Sequence, residues 1–145
     1  MNTPLDPQLT GNVGLYYCCY RLSLLGWNVM PTARNARALD IIAYSRDASR
    51  FVGVQVKALS KRNPVPLGAS LEKVMGDYWV IINRVATMPT AYVVLPSEVL
   101  SLAHRGEKEG SRLLLAPTNG LLQLGALTGE QPKVTYPILP PSVAA

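Results

Sequence analysis

The stretch ALDIIAYSRDASRFVGVQVKAL, residues 38–59, decides the fold. Its second half, Arg50 to Leu59, alternates strictly at the centre. Val52, Val54 and Val56 point one way; Phe51, Gly53, Gln55 and Lys57 point the other. Its first half, Ala38 to Ser45, is β-branched and apolar. Between them lies Arg46-Asp47-Ala48-Ser49, a turn-rich tetrapeptide. Two such runs joined by a short polar turn predict a β-hairpin. Counting outward from a turn centred between Asp47 and Ala48 sets Asp40 opposite Gln55. Directly opposed residues share a sheet face, and Lys57, two along from Gln55, shares it too. The hairpin therefore predicts that Asp40, Gln55 and Lys57 converge; a slip of one residue would undo it.

Working outward, Gly11 to Leu25 reads as an amphipathic helix, with Leu15, Cys18, Cys19, Leu22 and Leu25 at spacings of three and four. Thr10 is its expected N-cap and Gly26 its stop. Trp27 to Met30 is a short strand ended by Pro31. On the other side, Ser60 to Gly68 reads as a loop, Ser70 to Gly76 as a short helix, and Asp77 to Val85 and Ala91 to Leu95 as strands. Pro96 opens a helix running to about His104, and Arg112 to Ala116 forms a last strand. The expected domain is residues 1–116. Residues 117–145, with five prolines, are expected to form an irregular or partly disordered tail. The order αβββαββα predicts an α/β (α+β) layer, helices against a mixed sheet.

Composition narrows the function. The 145 residues suit one domain, and 48% apolar against 16% charged residues predicts a folded chain. The adjacent cysteines Cys18 and Cys19 cannot make a disulfide framework. A single histidine, His104, argues against a zinc site and against Ser-His-Asp or Cys-His chemistry. There is no signal-peptide pattern and no apolar run near the ~20 residues of a membrane helix, so a cytoplasmic location is expected. Residues 1–65 hold eight basic and three acidic residues; residues 66–145 hold six of each. The whole net charge of +5 thus sits in the first half, as a polyanion binder requires.

An acid, a carboxamide and a lysine on one sheet face have a chemical use. Asp40 and the Gln55 side-chain oxygen can ligate a hard divalent cation, and Lys57 can orient a water or offset charge on a phosphate. The plain alternative is an ordinary Asp40–Lys57 ion pair. Arg34 and Arg37 precede the Asp40 strand, and Lys61 and Arg62 follow the Lys57 strand. Together they would grip nucleic-acid phosphates. Tyr16, Tyr17 and Tyr20 are expected to pack, as are Tyr78 and Trp79.

The run Gly11-Asn12-Val13-Gly14, the helix after it, Leu39-Asp40-Ile41-Ile42 and Val54-Gln55-Val56-Lys57-Ala58 together resemble the PD-(D/E)xK nuclease superfamily. That is the restriction-endonuclease-like fold, which includes Holliday-junction resolvases. The Gln-x-Lys form most resembles the branch with an intron-encoded homing endonuclease. The resemblance covers about residues 10–95. It implies a divalent-metal-dependent endonuclease acting on DNA, with Asp40 and Gln55 holding Mg²⁺ or Mn²⁺ and Lys57 assisting the attacking water. Three departures stand out. Leu39 replaces the Pro, and Gln55 replaces the second acid. Leu15 follows Gly14 where many relatives carry a Glu, so only Asn12 offers a polar group nearby. Two alternatives follow: a catalytically inactive nucleic-acid-binding module on the same fold, and an interaction protein without a nucleic-acid role. Cutting both strands of DNA would call for a homodimer or higher homo-oligomer.

Overall fold

The computed structural model describes residues 3–33, 38–105 and 113–115. The elements, in chain order, are α1 (Pro7–Leu24), β1 (Asn28–Pro31), β2 (Ile41–Tyr44), β3 (Phe51–Ala58), β4 (Val65–Gly68), β5 (Tyr78–Asn83), β6 (Thr90–Val94), α2 (Pro96–Leu102), β7 (Ala103–Arg105) and β8 (Leu113–Leu115). Five strands form one mixed sheet in the order β1-β2-β3-β5-β6. Within it β3 and β5 are parallel, and the other neighbours are antiparallel. A second, antiparallel sheet has the order β4-β8-β7.

The hairpin has the expected register. Ile41 pairs with Val54, Ile42 with Gly53, Ala43 with Val52 and Tyr44 with Phe51. Its turn is held by side chains. Asp47 Oδ1 accepts from the Ser45 hydroxyl at 2.7 Å and from the Ser49 hydroxyl at 2.8 Å. The Arg50 N–H donates to Ser45 Oγ at 3.0 Å. Such local bonds favour a turn over continued strand.

The period-2 pattern sorts the core into two layers. Ile41, Ala43, Val52, Val54, Tyr78, Val80 and Ile82 face α1, where Cys18 and Leu22 meet them. Trp79 and Ile81 face the other way, with Val65, Val94 and Val99 of α2. Strand β5 is buried along its whole length, as a central strand covered on both faces should be. Gly14 is where α1 comes closest: a Cβ there would collide with the Ala58 Cβ.

Several boundaries differ from the sequence reading. Helix α1 begins one turn earlier, at Pro7, because Asp6 caps it: its carboxylate accepts from the Leu9 N–H at 2.8 Å. Thr10 is a buried helical residue. Gly26 does supply the left-handed stop, at φ +89°. Residues 70–76 form turns and no helix. Gly68 shortly before them and Gly76 at their end both stand at positive φ, outside the helical region. The expected loop at 60–68 contains β4, with Pro66 on the edge of the small sheet. His104 belongs to β7, because the chain turns extended at Ala103. Tyr17 is half-buried, but Tyr16 and Tyr20 are exposed. The tail, 117–145, lies outside the described residues. Among the described residues, no helix is long and apolar enough to cross a membrane.

Candidate functional site

The site forms where β2 begins and β3 nears its end. The pairing of Ile41 with Val54, continued one step, brings Asp40 beside Gln55. Two bonds fasten Asp40 there. Its N–H donates to the Val54 carbonyl at 2.9 Å, and its Oδ2 accepts from the Val56 N–H at 2.7 Å. Asp40 thus grips β3 on both sides of Gln55. Upstream, the Thr32 N–H donates to the Asp40 carbonyl at 2.9 Å, and the Thr32 hydroxyl bonds the Leu39 carbonyl. The Leu39 side chain fills the space over Gly53 and Gly76, where a Cβ would meet it at 2.9 Å and 2.8 Å. Ala38, just before, stands at φ +63°. Leu39 is therefore an anchor just before Asp40, held by packing on two glycines.

Gln55 is 9% exposed, and its Oε1 is buried with no hydrogen-bond partner. A buried unpaired acceptor costs about 1–3 kcal/mol, so native chains rarely keep one without use. Lys57 is half-buried, with Nζ 5.6 Å from the centre of the Trp79 ring. Burial pushes its pKa down; the Asp40 carboxylate opposes this, and the Lys73 charge adds to it. The Asp40 and Lys57 charges thus sense each other, though among the described residues no direct ion pair joins them.

Asp40 and Gln55 offer hard oxygen donors: a carboxylate and a buried carbonyl oxygen lacking a partner. That donor chemistry fits Mg²⁺ or Mn²⁺, which are commonly held by one or two carboxylates plus water and substrate phosphate. It is a sparse set. Among the described residues there is no group of three or more His, Cys, Asp or Glu side chains able to hold a metal. Asn12 is exposed on α1 and, among the described residues, makes no hydrogen bond to Asp40 or Gln55, while Leu15 packs into the core.

Lys61 and Arg62 are exposed just beyond β3, at the end of the sheet where Asp40 lies. Arg34 and Arg37 lie outside the described residues. Sequence reasoning misses three contributors. Trp79 sits under Lys57 because β5 pairs parallel with β3, setting Gln55 beside Trp79 and Lys57 beside Ile81. Asp77 clamps Gly53: its N–H donates to the Gly53 carbonyl at 2.8 Å, and its Oδ2 accepts the Gly53 N–H at 2.6 Å. Arg84, exposed at φ +52°, follows the C-terminal end of β5 and adds a cation at this end. The only signal for these in the sequence is that Asp77 and Arg84 flank a strand.

No protein-family model matches the chain, and no curated protein does. Among solved structures, a bacterial homing endonuclease, I-Ssp6803I, is similar with a TM-score of 0.53 and 17% sequence identity. The likeness covers 88% of this chain and 83% of that one. At this identity the likeness is one of fold. The chain has an endonuclease-like α+β fold, a five-stranded mixed sheet flanked by helices.

Proposed function

We propose that the chain is a divalent-metal-dependent phosphodiesterase, an endonuclease acting on DNA, with its active site at Asp40, Gln55 and Lys57. The observation that carries this reading is the buried, unpartnered Gln55 Oε1 beside an Asp40 carboxylate fastened by the Val56 amide. Two further facts support it: a homing endonuclease shares the fold, and the localised basic charge suits a DNA backbone.

Asp40 and Gln55 would hold Mg²⁺ or Mn²⁺. Such an ion, when bound, lowers the pKa of a coordinated water and polarises a phosphate oxygen. The remaining work falls to the chain's own groups. The Val56 N–H keeps one Asp40 oxygen occupied, which fixes the direction of the other. Burial favours the neutral amine of Lys57, so Nζ can accept a proton from an attacking water at a lower pH than a solvent-exposed lysine would. Lys61, Arg62 and Arg84, with Arg34 and Arg37, supply phosphate contacts that orient the strand. Two copies would cut both strands.

The sparse carboxylate count favours a second reading, a nucleic-acid-binding module without turnover. One experiment separates the two. Supercoiled plasmid is incubated with the protein in Mg²⁺, Mn²⁺ or EDTA, with Lys57→Ala alongside. The nuclease reading expects metal-dependent nicking that Lys57→Ala abolishes. A salt-sensitive gel shift with no nicking of plasmid or of a randomised duplex library supports the binding module. Neither nicking nor gel shift defeats both.

A further inference from the structure

Three consecutive residues just before β5 each touch the neighbour of a different side chain in the candidate site. The Met75 carbonyl accepts the Trp79 indole N–H at 3.2 Å, and Lys57 Nζ lies over the Trp79 ring. Gly76 stands at φ +88°, and a Cβ there would come within 2.8 Å of the side chain of Leu39, the residue before Asp40. Asp77 bonds Gly53 twice, through its N–H to the Gly53 carbonyl and through Oδ2 from the Gly53 N–H. Gly53 lies on β3, two residues before Gln55. Met75, Gly76 and Asp77 are all exposed, so burial of apolar surface does not account for these contacts.

The run is fixed at both ends. Val74, just before it, packs with the second core layer, and Asp77 leads directly into β5. Between those ends the Leu39 side chain is wedged against two glycines: a Cβ at Gly53 would meet it at 2.9 Å, and one at Gly76 at 2.8 Å. A shift of either glycine therefore moves the wedge, and Leu39 carries Asp40 with it. The grip on Gly53 fixes β3 just before Gln55, and the grip on the indole fixes the ring beneath Lys57. Working side chains keep a productive geometry only when the groups behind them are locked. We propose that Met75, Gly76 and Asp77 act as one positioning strap, holding Trp79, Leu39 and Gly53 so that Lys57, Asp40 and Gln55 keep their mutual arrangement. The work assigned to those three side chains rests on the nuclease reading; the grip of the strap on their neighbours does not.

Hydrogen exchange followed by NMR on the full chain tests this, with Asp77→Ala, Asp77→Asn and Leu39→Ala. Three protons report. The Val56 amide follows the Asp40 bond, the Trp79 indole N–H follows the Met75 end of the strap, and the Cys18 amide inside α1 follows global stability. Asp77→Ala and Leu39→Ala should each speed exchange at Val56 and at the Trp79 indole by ~10-fold or more beyond any change at Cys18, because loosening one contact of a shared strap opens both places. Asp77→Asn keeps an oxygen for the Gly53 N–H and should stay within ~3-fold of the native chain. Mn²⁺ affinity, read from the metal-induced rise in melting temperature, should fall with Val56 protection and return in Asp77→Asn. If Asp77→Ala does not fold, Leu39→Ala carries the same comparison. Three protons that change together in each variant would overturn the inference, reducing the run to ordinary packing. So would variants that release only the nearer reporter. A native chain with neither a Mn²⁺ response nor nicking defeats the nuclease reading, and the exchange rates still decide the strap.

Discussion

Asp40 and Val56 are joined across the β2–β3 hairpin: the carboxylate Oδ2 accepts the Val56 N–H at 2.7 Å. Val56 lies between Gln55 and Lys57, so this one bond ties the acid to the two side chains it is proposed to work with. The carboxylate is held by backbone, and neither side chain is consumed in holding it.

Gln55→Glu should change metal affinity and stability in opposite ways. Without metal, it places a second, buried carboxylate beside Asp40, which lowers stability by about 1–3 kcal/mol. With Mn²⁺ present, the added charge should tighten binding, so the metal-induced rise in melting temperature exceeds that of the native chain. Thermal melts in EDTA and in a Mn²⁺ series check both halves; Asp40→Ala should show no metal-induced rise at all.

Lys57 should titrate below its usual value of 10.5, chiefly because it is buried. Lys73→Gln removes a neighbouring positive charge and should raise the Lys57 pKa. Asp40→Asn removes the favourable carboxylate and should lower it further. Because the unfolded chain binds this proton more tightly, stability should rise as pH climbs from the folded value towards 10.5. Side-chain NMR titration gives the pKa, and urea melts over alkaline pH give the slope, which Lys57→Met should flatten.

Asp47 should titrate at about 2, below its usual 3.8, because the Ser45 hydroxyl and then the Ser49 groups donate to its carboxylate. Its support for the hairpin turn is complete above 3.8 and lost as pH falls through about 2. Ser45→Ala removes the first donor and should move the Asp47 pKa back towards 3.8. Carboxyl-carbon NMR over an acid series reads this directly.

Gly14→Ala should destabilise the chain by about 1–3 kcal/mol. The new methyl would collide with the Ala58 Cβ, so α1 must lift away from β3. Pairing it with Ala58→Gly should recover part of the loss. Urea midpoints of the two single variants and the double variant measure the coupling.

What the sequence alone determined is local. The alternation of Val52, Val54 and Val56 and the polar turn at 46–49 specify a hairpin with one register, because a one-residue slip would expose the valines. That register was enough to bring Asp40 to Gln55. The tertiary structure decided what depends on contacts distant along the chain. The parallel pairing of β3 with β5 set Trp79 beside Lys57, and no local pattern encodes a pairing across the residues between them. Burial left Gln55 Oε1 without a partner, a property of what surrounds a side chain rather than of its type. The two faces of α1 read as a single amphipathic helix in sequence, since periodicity marks which residues are apolar and not which side meets the sheet. The spacing already set Cys18 and Leu22 on one apolar face; the close approach of α1 to Ala58 added Gly14 to it, and packing left Tyr16 and Tyr20 outside.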